Sequence, residues 1–437
     1  MQLTIEKLIY GGDGLAHAPA AEQGGGKAVF LPFVLAGERV QAQVLEEKPG
    51  FLRALPAAIL EPSSTRTEPQ CPYFGQCGGC HYQHAAYPHQ LDIKAAILHE
   101  TIQRIARIEA PTVVAHASPP WHYRNRTRLK IQGGDRFALG YFRFASHHLL
   151  PVEQCPLSSP LINRAIAAAW ELGRAHLLDS VEEVEFFSNA TDDQLLVELN
   201  LRPPAAGLRG GSSGRLPNLA QALRQSLPET AGIAVVETAD KGGKRARAPR
   251  RPPALAGAQQ LLYRTGSGDY RVSAGSFFQT NRHLIDDLVQ LVTGGECGER
   301  AVDLYAGTGL FSLPLAQKFR QLTAVESSPS SFGDLKRNVP VGVTACRQRV
   351  EDFLKLPSPA AVDLVVVDPP RSGLGAEAAT SLSRFPSSRI TYVSCDPATL
   401  ARDLKTLAAA GFRLQEVHLL DLFPQTFHLE SVTKLMR

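Results

Sequence analysis

Two hydrophobic rhythms run along this chain. Towards the carboxyl end, short, mostly apolar runs stop abruptly at small or polar turns. Ala301-Val302-Asp303-Leu304-Tyr305 ends at Ala306-Gly307-Thr308-Gly309, Val362 to Val367 ends at Asp368-Pro369-Pro370-Arg371, and Ile390 to Val393 ends at Ser394-Cys395-Asp396-Pro397. Runs of this kind predict strands buried on both faces of a sheet. Open α/β sheets carry their chemistry at the carboxyl ends of such strands, so the three turns are expected to share one crevice.

The amino-terminal rhythm is different. Leu8 to Leu15, Ala28 to Phe33 and Arg39 to Leu45 are short runs broken by glycine turns, and the third alternates with a period of two. That predicts a small β-barrel over residues 1–62, a type that often binds nucleic acid, although a barrel that only packs on its neighbour reads the same way. Leu91, Ile97, Leu98, Ile102 and Ile105 recur at helical spacing and predict a surface-packed helix from Tyr87 to about Ile108 with a mixed charged face. In Tyr123 to Ile131, Arg124, Arg126, Arg128 and Lys130 fall on one face of a strand. That row is suited to a phosphate backbone or to a solvated edge strand protected by charge. Residues 202–258 contain Gly-Gly-Ser-Ser-Gly at 210–214 and the basic run Lys244 to Arg251, the composition of an interrupted, partly mobile insertion.

Length and composition sharpen this picture. At 437 residues the chain is too long for one core and predicts two or three domains. With 44% hydrophobic and 20% charged residues it has the composition of a soluble globular protein. No apolar run is long enough to span a bilayer and the start carries no signal core, so a cytoplasmic protein without a membrane partner is expected. The formal charge of +4 says little about partners, because phosphate affinity comes from local clusters of Lys and Arg.

Seven cysteines in a reducing compartment argue against a disulfide framework. Cys71, Cys77 and Cys80 lie together among glycines, and Cys155 stands far along the chain before Pro156. Four thiolates suit a [4Fe-4S] cluster or a structural zinc. Zinc sites usually show two Cys-x-x-Cys pairs, whereas three local ligands and one remote one favour the cluster. The Cys-x3-Cys-x2-Cys spacing of radical enzymes is absent.

At Asp303-Leu304-Tyr305-Ala306-Gly307-Thr308-Gly309 a strand meets a tight glycine turn that feeds a helix tolerating Pro314 in its first turns. The next strand, Leu322 to Glu326, ends in a carboxylate able to accept both ribose hydroxyls of an adenosine. Gly-x-Gly-x-x-Gly is missing, which disfavours a dinucleotide. The arrangement looks like the S-adenosylmethionine site of class I methyltransferases. Asp-Pro-Pro-Arg replaces the aromatic-containing motif of amino-group methyltransferases, and a cysteine follows one strand later, which points to carbon rather than nitrogen chemistry.

With these motifs in place the chain resembles the RNA uracil-5 methyltransferases, specifically the iron-sulfur branch that modifies ribosomal RNA. The resemblance runs nearly end to end: the barrel, the four cysteines, Ser276-Phe277-Phe278-Gln279-Thr280-Asn281, Asp303-Leu304-Tyr305, Val325-Glu326, Asp368 to Arg371, Ser394 to Pro397 and Phe423-Pro424. It implies an OB-like TRAM barrel at 1–62, a central α+β iron-sulfur and RNA-binding domain at 63–262, and a Rossmann-like class I methyltransferase domain at 263–437. The helix after Tyr87, spanning about 86–110, would pack with the last of these. It further implies Gln279, Tyr305, Glu326 and Asp368 as S-adenosylmethionine contacts, Cys71, Cys77, Cys80 and Cys155 as cluster ligands, Cys395 as nucleophile and Glu430 as base, with His428 the competing base. Leu310 and Asp396 depart from the polar residue and the Asn expected there.

Carbon 5 of uracil is too weak a nucleophile to take a methyl group directly. A thiolate added at carbon 6 makes the ring enolate-like. Cationic neighbours such as Arg371 or Arg402 are expected to lower the pKa of Cys395. A monomeric enzyme acting on 23S ribosomal RNA is expected. The T-loop uridine of transfer RNA is the alternative target, and a non-catalytic iron-sulfur RNA-binding protein the alternative class.

Overall fold

The apolar runs near the carboxyl end are the central strands of an eight-stranded sheet. The computed structural model describes residues 1–19, 26–202, 215–237, 254–357 and 361–437. The sheet's strands, in chain order, are β1 (Val113–His116), β2 (Gly298–Leu304), β3 (Phe319–Val325), β4 (Thr344–Cys346), β5 (Val362–Val367), β6 (Ser387–Ser394), β7 (Arg413–Leu420) and β8 (Glu430–Met436). They lie in the order β4-β3-β2-β5-β6-β8-β7-β1. Pairing is parallel except for β8, which runs antiparallel to β6 and β7. Strand order reverses between β2 and β5, and this switch point is where an open α/β sheet leaves a crevice for a ligand. The sheet is buried on both faces: Val302, Leu304, Val365 and Val367 pack on one side, Ala301, Leu364 and Val366 on the other.

Helix α1 (Tyr87–Thr101), continued by a wide turn over Ile102–Ala106, packs into this same core. Its Ile93, Ile97 and Leu98 join Leu400, Leu404 and Leu407 of α2 (Pro397–Ala409). The expected docking on the methyltransferase sheet is present, and β1 extends the sheet edge. The expected charged face is present at the exposed Asp92 and Glu100, but two of the helix's polar side chains turn inward. Gln90 and Lys94 are fully buried, because both find partners in the loop that precedes β8.

At the amino terminus, six strands in the order Gln2–Thr4, Arg39–Glu47, Phe51–Glu61, Ala28–Leu31, Gly14–His17, Lys7–Leu8 curl round a small core of Leu3, Ile5, Val29, Leu31 and Val40. A third, seven-stranded sheet contains Arg126–Gln132, Val181–Ser188 and Leu195–Leu201 at its centre. Of the insertion expected over 202–258, the described residues 215–237 and 254–258 belong to this sheet unit. They supply a helix at Arg215–Ser226, a strand at Thr230–Glu237 parallel to Leu195–Leu201, and a strand at Ala254–Gly257. Ile233 and Ala234 are buried within that sheet, which is what anchors the segment. The glycine-serine stretch and the basic run fall outside the described residues.

The basic row Arg124 to Lys130 also has a different fate. Its strand pairs antiparallel with Val181–Ser188, and the acidic positions of that neighbour stand in register. Arg128 lies 2.7 Å from Glu185, Arg126 lies 3.5 Å from the same carboxylate, and Lys130 pairs with Glu183. Arg126 also sits 4.2 Å over the Phe187 ring. These cations are neutralised within the sheet and do not form a free phosphate grip.

Candidate active site

The three turns predicted to meet do meet. Gln279, Tyr305, Glu326, Asp368, Cys395 and Glu430 all line one cavity of about 550 Å³ at the carboxyl ends of β2, β3, β5 and β6. Phe277, Leu310, Arg371, Phe423 and His428 complete much of its wall. Phe277 is 62% exposed, an apolar side chain left facing solvent at the cavity rim. Leu310, the departure from an expected polar residue, contributes an apolar surface.

The floor is built by the turn after β2. Tyr305 adopts a left-handed backbone (φ 60°), as do Gly307 (φ 57°) and Gly309 (φ 93°). A side chain in that region is uncommon and costs strain, and here it brings Tyr305 to the cavity wall. The Glu326 carboxylate accepts from the Gly307 amide at 2.9 Å and the Ser328 amide at 2.5 Å, which fixes it across the turn. Burial raises its pKa and those amide donors oppose the rise. The predicted helix after this turn is a single short turn, Ser312–Leu315. Ser312 donates to the fully buried Asp303 at 2.5 Å. Burial pushes Asp303 up to about 7. Asp368 is likewise pushed up to about 7, by burial and then by Asp303.

Register places the two candidate catalytic groups side by side. Ser394 of β6 pairs with Ser431 of β8, so Cys395 follows the one strand where Glu430 begins the other. Glu430 is 4% exposed, and burial, with Asp368 adding, raises its pKa well above the ordinary carboxylate range. Cys395 is half-buried and its thiol is pushed up to about 12, chiefly by burial, with Glu430 and Asp368 adding and Arg371 opposing. Arg371 acts in the expected direction, but in the ligand-free protein burial outweighs it. The two carboxyl groups add to burial, and Arg402 is turned away to Asp403 and the Ser372 carbonyl. His428 is held down to about 3 by burial, then by Arg371, which makes it a neutral and weak base. Asp396 caps α2, accepting from Ala398 and Thr399 amides at 3.0 and 2.9 Å.

The loop carrying His428 to Glu430 is held from several sides that sequence reasoning missed. Lys94 lies 2.6 Å from Asp421 with both side chains sealed from solvent, and it also donates to the Phe423 carbonyl at 3.0 Å. Gln90 and Gln425 exchange hydrogen bonds of 2.9 Å. Tyr123 donates to the Pro424 carbonyl, and the His81 and Tyr82 amides both donate to the Gln425 carbonyl. Each contact joins positions far apart in the chain, so no local motif announces it.

The four predicted metal ligands also come together. Cys71, Cys77, Cys80 and Cys155 line a second cavity of about 40 Å³, with Phe74, Arg124 and Tyr141 in its wall. Among the described residues, no group of three or more His, Cys, Asp or Glu side chains is arranged to hold a metal ion. Burial raises the thiol pKa values of Cys71, Cys77 and Cys80, the last to about 12, while the Arg124 guanidinium opposes the rise at Cys77 and Cys80.

Comparison with known proteins places this architecture. Residues 1–56 match the TRAM domain, and residues 348–437 match the tRNA (Uracil-5-)-methyltransferase family. The chain is 32% identical over 442 residues to an uncharacterized RNA methyltransferase of Aquifex aeolicus, covering 100% of this chain and 98% of the relative. It is 31% identical over 448 residues to the 23S rRNA (uracil(1939)-C(5))-methyltransferase RlmD of Pectobacterium atrosepticum, covering 99% and 92%. The fold is similar to the crystal structure of Pyrococcus abyssi tRNA (uracil-54, C5)-methyltransferase in complex with S-adenosyl-L-homocysteine. That match has a TM-score of 0.73 and 24% identity and covers 100% of both chains.

Proposed function

Because this chain belongs to the RNA uracil-5 methyltransferase family and is an S-adenosylmethionine-dependent enzyme, we propose that it methylates carbon 5 of a uridine in 23S ribosomal RNA through a covalent adduct of Cys395. The observation that carries this reading is the single cavity in which Cys395 and Glu430 face the glycine turn and Asp368. Gln279, Tyr305, Glu326 and Asp368 hold the cofactor, which supplies its methyl group as an electrophile on a sulfonium.

The acidic lining raises the thiol's pKa, and a bound cation works against that rise. Asp368, Glu326 and Glu430 face the cavity against Arg371 alone among the lining groups named above. A cation bound there favours the carboxylate forms and the Cys395 thiolate together. The thiolate adds to carbon 6 and the ring electrons move to carbon 5. Carbon 5 takes the methyl group, leaving the neutral thioether. Glu430, as carboxylate, then removes the proton from carbon 5, the double bond reforms, and Cys395 leaves as thiolate. The ring must be attacked on two edges, so the uridine leaves its stack to enter the cavity.

The four-thiol cavity suits a [4Fe-4S] cluster by donor chemistry. Four sulfurs wall one space, and Arg124 beside them offsets the negative charge that four thiolates bring. Cys71, Cys77, Cys80 and Cys155 would hold it. Cys155→Ala should then lower the iron and sulfide content of the purified protein, while unchanged content would remove the assignment. We read the chain as a TRAM barrel at 1–62, a central RNA-binding domain at 63–262 and a catalytic domain at 263–437, working in the cytoplasm as a monomer. The target follows the full-length likeness to the 23S enzymes, with the T-loop uridine of tRNA second. Incubating the enzyme with S-adenosylmethionine and either 23S rRNA or tRNA, then mapping 5-methyluridine, decides between them. Product in neither RNA would sink the proposal.

A further inference from the structure

One side chain of the amino-terminal sheet reaches the nucleophile. Tyr10 stands on the turn between Lys7–Leu8 and Gly14–His17, and its hydroxyl donates to the Cys395 carbonyl at 3.2 Å. The same hydroxyl lies beside the Asp396 carboxyl. Its ring meets Phe427 edge-on at 5.5 Å, and Phe427 in turn lies 4.2 Å from the His428 ring and 4.6 Å from the His81 ring. The turn is pressed down by Gly11 (φ 111°) and Gly12 (φ 96°), and a Cβ at Gly12 would come within 3.1 Å of His81.

Tyr10 therefore touches both arms of the site: the peptide that follows β6 and carries the thiol, and the loop that carries His428 and Glu430 to β8. Packing two units together needs only the ring. A hydroxyl has one proton to give, and here it is given at the peptide that sets the direction of the Cys395 side chain. Asp396 Oδ1 accepts two amide protons as the helix cap, and the Tyr10 hydroxyl sits between this carboxyl and the Cys395 carbonyl, tying both sides of one peptide.

We propose that Tyr10 is a positioning residue: its hydroxyl fixes the Cys395–Asp396 peptide, so that docking of the amino-terminal sheet sets the aim of the nucleophile. The proposal rests on Cys395 being the nucleophile, and two measurements keep the two claims apart. Tyr10→Phe retains the ring contact with Phe427 and removes only the hydroxyl.

In the first measurement the rate of covalent capture on 5-fluorouridine RNA is followed in the presence of S-adenosylmethionine. Tyr10→Phe should capture about tenfold more slowly, the scale of one hydrogen bond, with unchanged affinity for RNA and cofactor. In the second, iodoacetamide labelling of Cys395 in the free enzyme is read by peptide mass spectrometry, with exposed Cys297 as internal control. A loosened peptide should label at least about threefold faster at Cys395 and equally at Cys297. A purely structural loss would instead move Cys297 labelling or RNA affinity. If wild-type enzyme forms no adduct, the reading of Cys395 fails and the labelling ratio alone judges Tyr10. Equal labelling, or equal capture by wild type and variant, overturns the proposal.

Discussion

Replacing Lys94 by Met tests how the loop before Glu430 is held. Lys94 and Asp421 are both 0% exposed at the side chain, with Nζ 2.6 Å from Oδ1. At an effective dielectric of about 20, charges this close attract by roughly 6 kcal/mol, and desolvation of the two ions offsets much of that. The methionine variant removes the attraction but leaves Asp421 buried, with Oδ2 already lacking a partner and the Phe423 carbonyl losing one of its donors. Stranding one charge in this way costs about 3–5 kcal/mol. Replacing both partners, Lys94→Met with Asp421→Leu, should recover most of that cost, because it leaves no buried ion behind. The assay is urea unfolding of the three proteins alongside turnover. The single variant should also lose turnover more than RNA affinity, since the loop runs directly into Glu430. A single variant within about 1 kcal/mol of wild type, or a double variant worse than the single, would refute the reasoning.

Glu430→Gln should still form the Cys395 adduct and methylate carbon 5 but fail to release it, so enzyme joined to methylated RNA should accumulate on denaturing gels; full turnover would refute the assignment of the base. The cavity's carboxyl groups also predict a pH effect. Asp368 and Asp303 are raised to about 7 from 3.8, so in the ligand-free protein they contribute stability below 3.8 that is lost as pH rises through about 7. Their anionic forms, present above 7, are the ones that attract a cation. The affinity of cationic S-adenosylmethionine relative to its neutral product should therefore rise on the order of tenfold from pH 6 to 8 by calorimetry, and a flat ratio would contradict the electrostatic account.

Much of the catalytic site was legible because its strands are buried on both faces. Such strands are mostly apolar, and Leu364 to Val367 stops at Asp368 just where the chain emerges into the cavity. The glycine turn was legible for a similar reason, since Gly307 and Gly309 take backbone conformations that other residues avoid. The basic row was read with the right period and the wrong environment. Its partner strand carries Glu183 and Glu185 in register, and the alternation in Glu183 to Phe186 was the available signal. The influence of Arg371 on the Cys395 thiol was legible because Arg371 adjoins a visible motif, whereas Asp368 and Glu430 converge on that thiol only in the folded sheet. Tyr10, Gln90 and Lys94 act across hundreds of residues, and nothing local to them marks the partner they find.

The most direct test incubates the enzyme with S-adenosylmethionine and target RNA carrying 5-fluorouridine, then digests the product and weighs its peptides. Fluorine at carbon 5 blocks the final proton removal. The peptide containing Cys395 should therefore carry a methylated 5-fluorouridine, and Cys395→Ser enzyme should carry none. A nucleotide on another residue, or methylation with no covalent species in either protein, would contradict the account.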